Sequence, residues 1–318
     1  MQQIDKEAAP YALNVPEWEI LNLLGAPAAV QNIRGMSVCP AELSAQIDSV
    51  LRDEGIKVVP PVLIKLAQPP LLLVISPRDK IAYFDRLLVL PGLSIDQAES
   101  LEHKIDALNL SSLVVELGGF GAAYPVIVNP DMQMHQVVNA AAEEWSHQYL
   151  AFRPLGFLYL IDSLGLRQSQ GAIEMNETLA GMMADEIGSK VLNRYYPGVE
   201  RPVKGPAEGQ AFDFDKEMRI TRAEVDMLLA AGKVNDAEQY MKSRCQLFNE
   251  HGYKIRKLNQ AYFAFHGIYG KDPGSVSRVY QDMQILRKHY DSLRAFVDAV
   301  SSMTGYQELH EAASVQSF

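Results

Sequence analysis

Apolar residues recur at helical spacing from His135 to Arg153, where Val138, Ala141, Ala142, Trp145, Tyr149 and Phe152 fall within one stripe of a 3.6-residue helix. The same spacing predicts a helix over Ala41–Glu54, carried by Leu43, Ile47 and Leu51 and stopped by Gly55 at the C-cap position. From Lys57 the pattern changes. Lys57 to Leu66, Leu71 to Ser76, Arg86 to Leu90, Ser111 to Glu116 and Tyr124 to Val128 are short runs rich in Val, Ile and Leu, and they read as strands. Between them, Ser94 and Gln97 form a capping box that heads a helix to about Leu108.

Beyond residue 130 the helical period returns. Ile173 to Tyr195 is apolar on most of its surface, the mark of a buried helix. Thr221-Arg222-Ala223-Glu224 is a capping box ahead of Val225, Leu228 and Leu229. Further helices are expected from Asn235 or Asp236 to Glu250 with Gly252 closing, over Ile255 to Tyr269, and over Ser275 to Met303 as one long amphipathic element. The first forty residues are rich in Pro and Ala with weak periodicity, plus a short helix around Trp18 to Leu24, and Tyr196 to Gln210 is a Pro/Gly-rich loop. The pattern predicts an α+β protein. Residues 1–56 form an arm and helix, 57–130 a mixed α/β portion with a small sheet, and 131–318 a mostly helical portion continuous with the sheet portion as one domain.

Composition adds exclusions. With 318 residues, 48% hydrophobic and 21% charged, the chain has enough apolar content for a sizeable core. Lys+Arg 29 against Asp+Glu 39 gives 29 − 39 = −10, which argues against nonspecific nucleic-acid binding, and no basic cluster reverses that locally. No apolar run reaches the ~18 residues that a membrane-spanning helix needs. No basic segment followed by an apolar one opens the chain, so no secretory signal is visible. The compartment stays open, the cell envelope included should an anchor precede Met1. Cys39 and Cys245 are too few for a disulfide framework or a cysteine zinc site and read as two buried thiols. The loop Gly118-Gly119-Phe120-Gly121 lacks the context of a phosphate-binding loop and reads as a tight turn near a sheet edge.

The candidate chemistry sits on the first helix. Glu143 and His147 are four apart and project from its polar face one turn from each other, with Glu144 about 100° further round. The pattern is one residue away from His-Glu-x-x-His, in which two imidazoles hold zinc and the glutamate between them activates the attacking water. Glu144 and His147 occupy the base and second-histidine positions, and Glu143 stands where the first histidine would be. Alone, Glu-Glu-x-x-His also describes a solvated helix face. A second feature converges on it. Glu177 interrupts the buried helix, and its helical neighbours Gly181, Ala184 and Gly188 make a small-residue face that another element can approach closely. A buried carboxylate needs a partner or a proton, and a metal ion or a histidine would meet that need.

Asn176-Glu177 followed by Ala180 matches the Asn-Glu-x-x-Ala companion of His-Glu-x-x-His in gluzincin metallopeptidases. Together the segments EEWSHQYL, MNETLAGMMADEIG, FDFDKEMRITRAEVDMLLAAGK and IRKLNQAYFAFHGIYG resemble an uncharacterised bacterial family of zincin-like metallopeptidases, over most of the chain from about Val58. The resemblance implies a zinc site with His147 and Glu177 as ligands, Glu144 as general base and a peptide or protein substrate. The departure at Glu143 leaves an oxygen donor where that family has an imidazole. Two anionic ligands lower the Lewis acidity of the ion, so catalysis is expected to be weakened, altered or lost. Tyr262 and His266, which share a helical face with Ile255 and Tyr269, are candidates to hydrogen-bond an oxyanion, as such residues often do in zincin-like sites, and equally read as aromatic core.

Two other readings stand beside the peptidase. One is a non-catalytic peptide-binding module on the same scaffold. The other is a di-iron carboxylate protein, which needs a second Glu-x-x-His that the sequence lacks.

Overall fold

A computed structural model describes residues 1–15, 18, 30–163, 170–200 and 212–315. Helix outweighs strand, 55% against 12%, with small sheets in the N-terminal half and helices in the C-terminal half, so the fold class is α+β. The chain divides into two compact units, each assembled from three stretches: 1–14, 70–116 and 202–277 in one, 15–69, 117–201 and 278–318 in the other. These units do not follow chain order as the expected segments 1–56, 57–130 and 131–318 do, because strand pairing and helix burial join stretches distant in sequence.

The first unit is built on an antiparallel sheet in which Leu71–Pro77 lies between Asp85–Val89 and Leu110–Glu116. Side chains alternate across a strand. Leu71, Leu73 and Ile75 face Ala98, Leu101 and Ile105 of helix Ile95–Asp106, with Ile4 and Ala8 of helix Gln2–Ala8. Val74 and Leu113 on the opposite face meet Ala261 and Ala264 of helix Gln260–His266. Coverage on both faces explains why the central strand is a continuous apolar run.

The free edge of Leu110–Glu116 is capped by side chains. Glu102 accepts from the Val114 N–H and Asp106 from the Ser112 N–H, while Arg256 donates to Val114 O and Lys257 and Asn259 donate to Ser112 O. Charged groups so placed close an edge that would otherwise recruit another strand.

In the second unit, helix Met134–Leu150 packs Val138, Ala141, Ala142 and Trp145 into a core shared with the buried helix Gln170–Tyr195. Helix Pro40–Asp53 also joins that core, and Gly55 follows it at φ +71°, as its predicted cap role requires. Ile64–Leu66 runs parallel to Val126–Val128, and Gly119–Phe120 pairs antiparallel to the latter as an edge strand. Helices Val279–Arg287, Leu293–Ser301 and Tyr306–Val315 complete the unit.

Several expectations are corrected. Only Ile64–Leu66 of the run from Lys57 forms a strand, since Pro60 and Pro61 lack the N–H a ladder uses. The helix containing Thr221 begins at Phe214, capped by Asp213, whose carboxylate accepts from the Lys216 N–H; Thr221 instead donates back to Glu217 O mid-helix. Ile255 to Tyr269 is helical only over Gln260–His266, because Arg256, Lys257 and Asn259 are committed to the strand edge. The long helix from Ser275 to Met303 is two, divided where the Ser292 hydroxyl caps a new start by accepting from the Ala295 N–H. Phe152 leaves the apolar stripe and is 75% exposed, since its helix ends at Leu150. Cys39 and Cys245 are free and only half-buried. Most of the short helix expected around Trp18 to Leu24 and most of the loop Tyr196 to Gln210 lie outside the described residues. Among the described residues no helix is long and apolar enough to cross a membrane.

Candidate metal centre

Two buried helices bring the site together. Met134–Leu150 supplies Glu143, Glu144 and His147, and Gln170–Tyr195 supplies Asn176 and Glu177. Their close approach depends on the small-residue face seen in the sequence. A Cβ on Gly188 would overlap the Asn139 side chain, and one on Gly181 would stand 3.9 Å from Glu143 Oε1. The outcome is a cluster in which donor atoms of Glu143, His147 and Glu177 lie within 4.8 Å of one another.

His147 Nε2 is 3.5 Å from Glu177 Oε2, with the two side chains 14% and 8% exposed. Ligands ~2.0–2.2 Å from a shared divalent ion stand about 3–4 Å apart, so this edge fits one. His147 Nδ1 is 2.8 Å from Asn176 Oδ1. An amide oxygen only accepts, so Nδ1 carries a proton and Nε2 is the nitrogen turned to Glu177.

Tyr159 completes the wall. It lies on helix Pro154–Ser163, which the sequence reading did not anticipate; its hydroxyl donates to Glu177 Oε1 at 2.9 Å and its ring stacks on His147 at 5.5 Å between centroids. Glu144 sits against the glycine loop. A Cβ on Gly119 would run into its side chain, and one on Gly121 would stand 2.8 Å from both its backbone oxygen and its carboxylate. The Gly121 N–H donates to that carboxylate. The loop expected as a plain tight turn is therefore an edge strand and a cradle for Glu144, with glycines where no side chain fits.

Burial pushes the Glu144 carboxyl up to about 8; His147 pulls it down, while Glu143 and Glu177 push it further up. Burial opposes a charge on His147 as well, but Glu177 outweighs it and holds the imidazolium to about 10, with help from Glu144 and Glu143. Both groups bind protons more tightly in the folded chain than as free side chains, whose ordinary values are 4.5 and 6.5. Folded-state stability from His147 is thus fully present below about pH 6.5 and lost toward 10, and the cost of ionising Glu144 grows from about pH 4.5 to 8. The thermal midpoint of metal-free protein is expected to fall from pH 5 to pH 9 in scanning fluorimetry. A rising midpoint across that range would contradict the assigned protonation.

Tyr262 and His266 belong to the other compact unit. There His266 Nδ1 is 2.8 Å from Asp272 Oδ2, and the Tyr262 ring lies 4.1 Å from the imidazole, its hydroxyl pushed up mainly by burial. That unit also has a cavity of about 600 Å3 beside the capped strand edge, walled in part by Asp106, Arg256 and Lys257. Those charges are engaged in closing the edge.

The residues that sequence reasoning missed are Tyr159, the role of Asn176, and the Gly119–Gly121 cradle. Asn176 beside Glu177 and the clustered glycines were visible signals, whereas nothing in the local pattern marks Tyr159. No family model, curated protein or solved structure matches this chain.

Proposed function

We propose that this chain is a metal-dependent peptidase of the gluzincin type, with a divalent ion held by Glu143, His147 and Glu177 and catalysis tempered by the glutamate at 143. The observation that carries the reading is the convergence of those three donor sets, from two helices, within 4.8 Å. When bound, such an ion polarises a scissile carbonyl and makes water a better nucleophile near neutral pH. The charge of a bound ion would favour ionised Glu144, and in that form Glu144, cradled by Gly119 and Gly121, would take the proton of the attacking water and return it to the leaving amine. Tyr159 offers its hydroxyl to an oxyanion once it lets go of Glu177. Asn176 keeps the His147 tautomer and ring orientation fixed.

Glu143 favours a second reading, the non-catalytic peptide-binding module, because an added anionic donor weakens Lewis acidity. Elemental analysis of protein purified without chelator, paired with hydrolysis of casein and a fluorogenic peptide library, separates them. A stoichiometric divalent ion with chelator-sensitive cleavage supports the peptidase. An ion without cleavage supports the binding module, and protein that neither retains nor takes up an ion ends the metal reading.

A further inference from the structure

We infer that the cavity in the first compact unit is a binding site for a small organic anion that also carries a hydrogen-bond donor, a carboxylate or phosphate monoester with a hydroxyl group. The inference stands apart from the metal reading. Every residue that lines the cavity belongs to the unit that does not hold Glu143, His147 and Glu177.

The cavity of about 600 Å3 is lined by helix Val234–Glu250, by strand Leu110–Glu116 and by residues 256–260. That volume falls within the ~300–1,000 Å3 usual for small-molecule sites. Its wall reverses the sign of the chain, whose net charge is −10. Arg78, Lys242, Arg256 and Lys257 are joined there only by Asp106 and Glu238, so 4 − 2 = +2. The cations come from stretches far apart in sequence, which is why no basic cluster marks them along the chain.

Much of that charge is already committed. Arg78 pairs with Glu238, and Lys257 directs its ammonium to Glu102, Asp106 and Ser112 O. Arg256 holds Glu102 and Val114 O through its two Nη groups, with Nε outside those bonds. Lys242 is exposed and pairs with no carboxylate among the described residues. An anion in the cavity therefore meets Lys242 without breaking a bond that closes the strand edge.

A second observation adds the donor. Gln260 and Ser111 line the cavity and are 1% and 4% exposed. Gln260 Nε2 donates to Arg78 O and Glu238 Oε1, which fixes the orientation of the amide. Gln260 Oε1 and the Ser111 hydroxyl have no hydrogen-bond partner among the described residues. Buried polar atoms of this kind are costly to leave unmet, and an O–H on the ligand answers them. Met241 and Leu258 supply an apolar part of the wall, suited to a carbon body between charge and donor. An inorganic anion would satisfy Lys242 alone.

The test titrates the full chain with 4-hydroxybenzoate by isothermal calorimetry at neutral pH and low salt. 4-Hydroxybenzamide keeps the ring and hydroxyl but lacks the charge, and 4-methoxybenzoate keeps the charge but lacks the donor. Wild type is expected to bind 4-hydroxybenzoate with a Kd of about 1 mM or tighter, within reach of its roughly ten non-hydrogen atoms. Loss of the charge, and separately Lys242→Glu, should each weaken binding by at least about tenfold, the scale of a charge-assisted contact. Loss of the donor should weaken it by about fivefold. Glycerol 3-phosphate, titrated alongside, separates the two sources of the anion: tighter binding than 4-hydroxybenzoate assigns the site to phosphate monoesters, and weaker binding assigns it to carboxylates. If neither anion binds at about 10 mM, the inference is overturned. It is equally overturned if the amide or the methoxy analogue binds within about twofold of 4-hydroxybenzoate, or if Lys242→Glu binds as wild type does.

Discussion

Under the proposed peptidase function, replacing Glu144 by glutamine is expected to cut peptide hydrolysis by about a thousandfold, within the range usual for removal of a positioned acid–base group, while leaving ion binding intact. Glutamine keeps the shape that the glycine loop encloses and still accepts from the Gly121 N–H, so the cradle has no reason to rearrange. The proposed ligands are Glu143, His147 and Glu177, none of which the change removes. The same substitution has a readout independent of turnover. Glutamine does not titrate, so the fall in thermal midpoint between about pH 5 and 8 should shrink, and above pH 8 the variant should match or exceed wild type. Unchanged hydrolysis would remove Glu144 as the base. An unchanged pH profile would show that its raised proton affinity does not contribute to folding.

Gly156→Ala is expected to lower the unfolding free energy by about 3 kcal/mol, the upper part of the usual overpacking range. Gly156 lies in the first turn of helix Pro154–Ser163, where that helix folds back over the end of Met134–Leu150. An added Cβ would overlap the Leu150 carbonyl and stand 2.7 Å from Ala151 N. These are backbone atoms, and the Leu150 oxygen already accepts from the Arg153 N–H at 2.8 Å, so they cannot swing aside as a side-chain tip would. Relief therefore has to come from moving the second helix, which carries Tyr159 away from Glu177 and His147. Urea unfolding followed by circular dichroism measures the loss. A variant within 1 kcal/mol of wild type would show that the turn at 151–153 is looser than its hydrogen bonds imply.

Legibility in the sequence followed the range of the forces. Helix Ile95–Asp106 begins where Ser94 and Gln97 cap it, and helix Pro40–Asp53 stops at the glycine chosen for it, because caps act within a turn. Where two local signals competed, the reading erred. Thr221 and Glu224 had a capping pattern, but Asp213 and the apolar positions Phe214 and Met218 had already started that helix. Ser275 to Met303 kept its amphipathic period through Asp291 and Ser292, and the period hid a break that the Ser292 hydroxyl makes.

For the site, the sequence alone determined the polar trio on one helix, the carboxylate on a small-residue face of another, and the spacing that let them be paired. Those properties depend on residues three or four apart, and helix geometry fixes them without knowledge of the rest of the chain. The tertiary structure alone decided that Glu177 meets His147, that Tyr159 closes over both, that glycines wrap Glu144, and that Tyr262 and His266 belong to another unit. Proton affinity and ligand geometry are set by what surrounds a group. Here the surroundings come from stretches far apart in the chain, which no local period records.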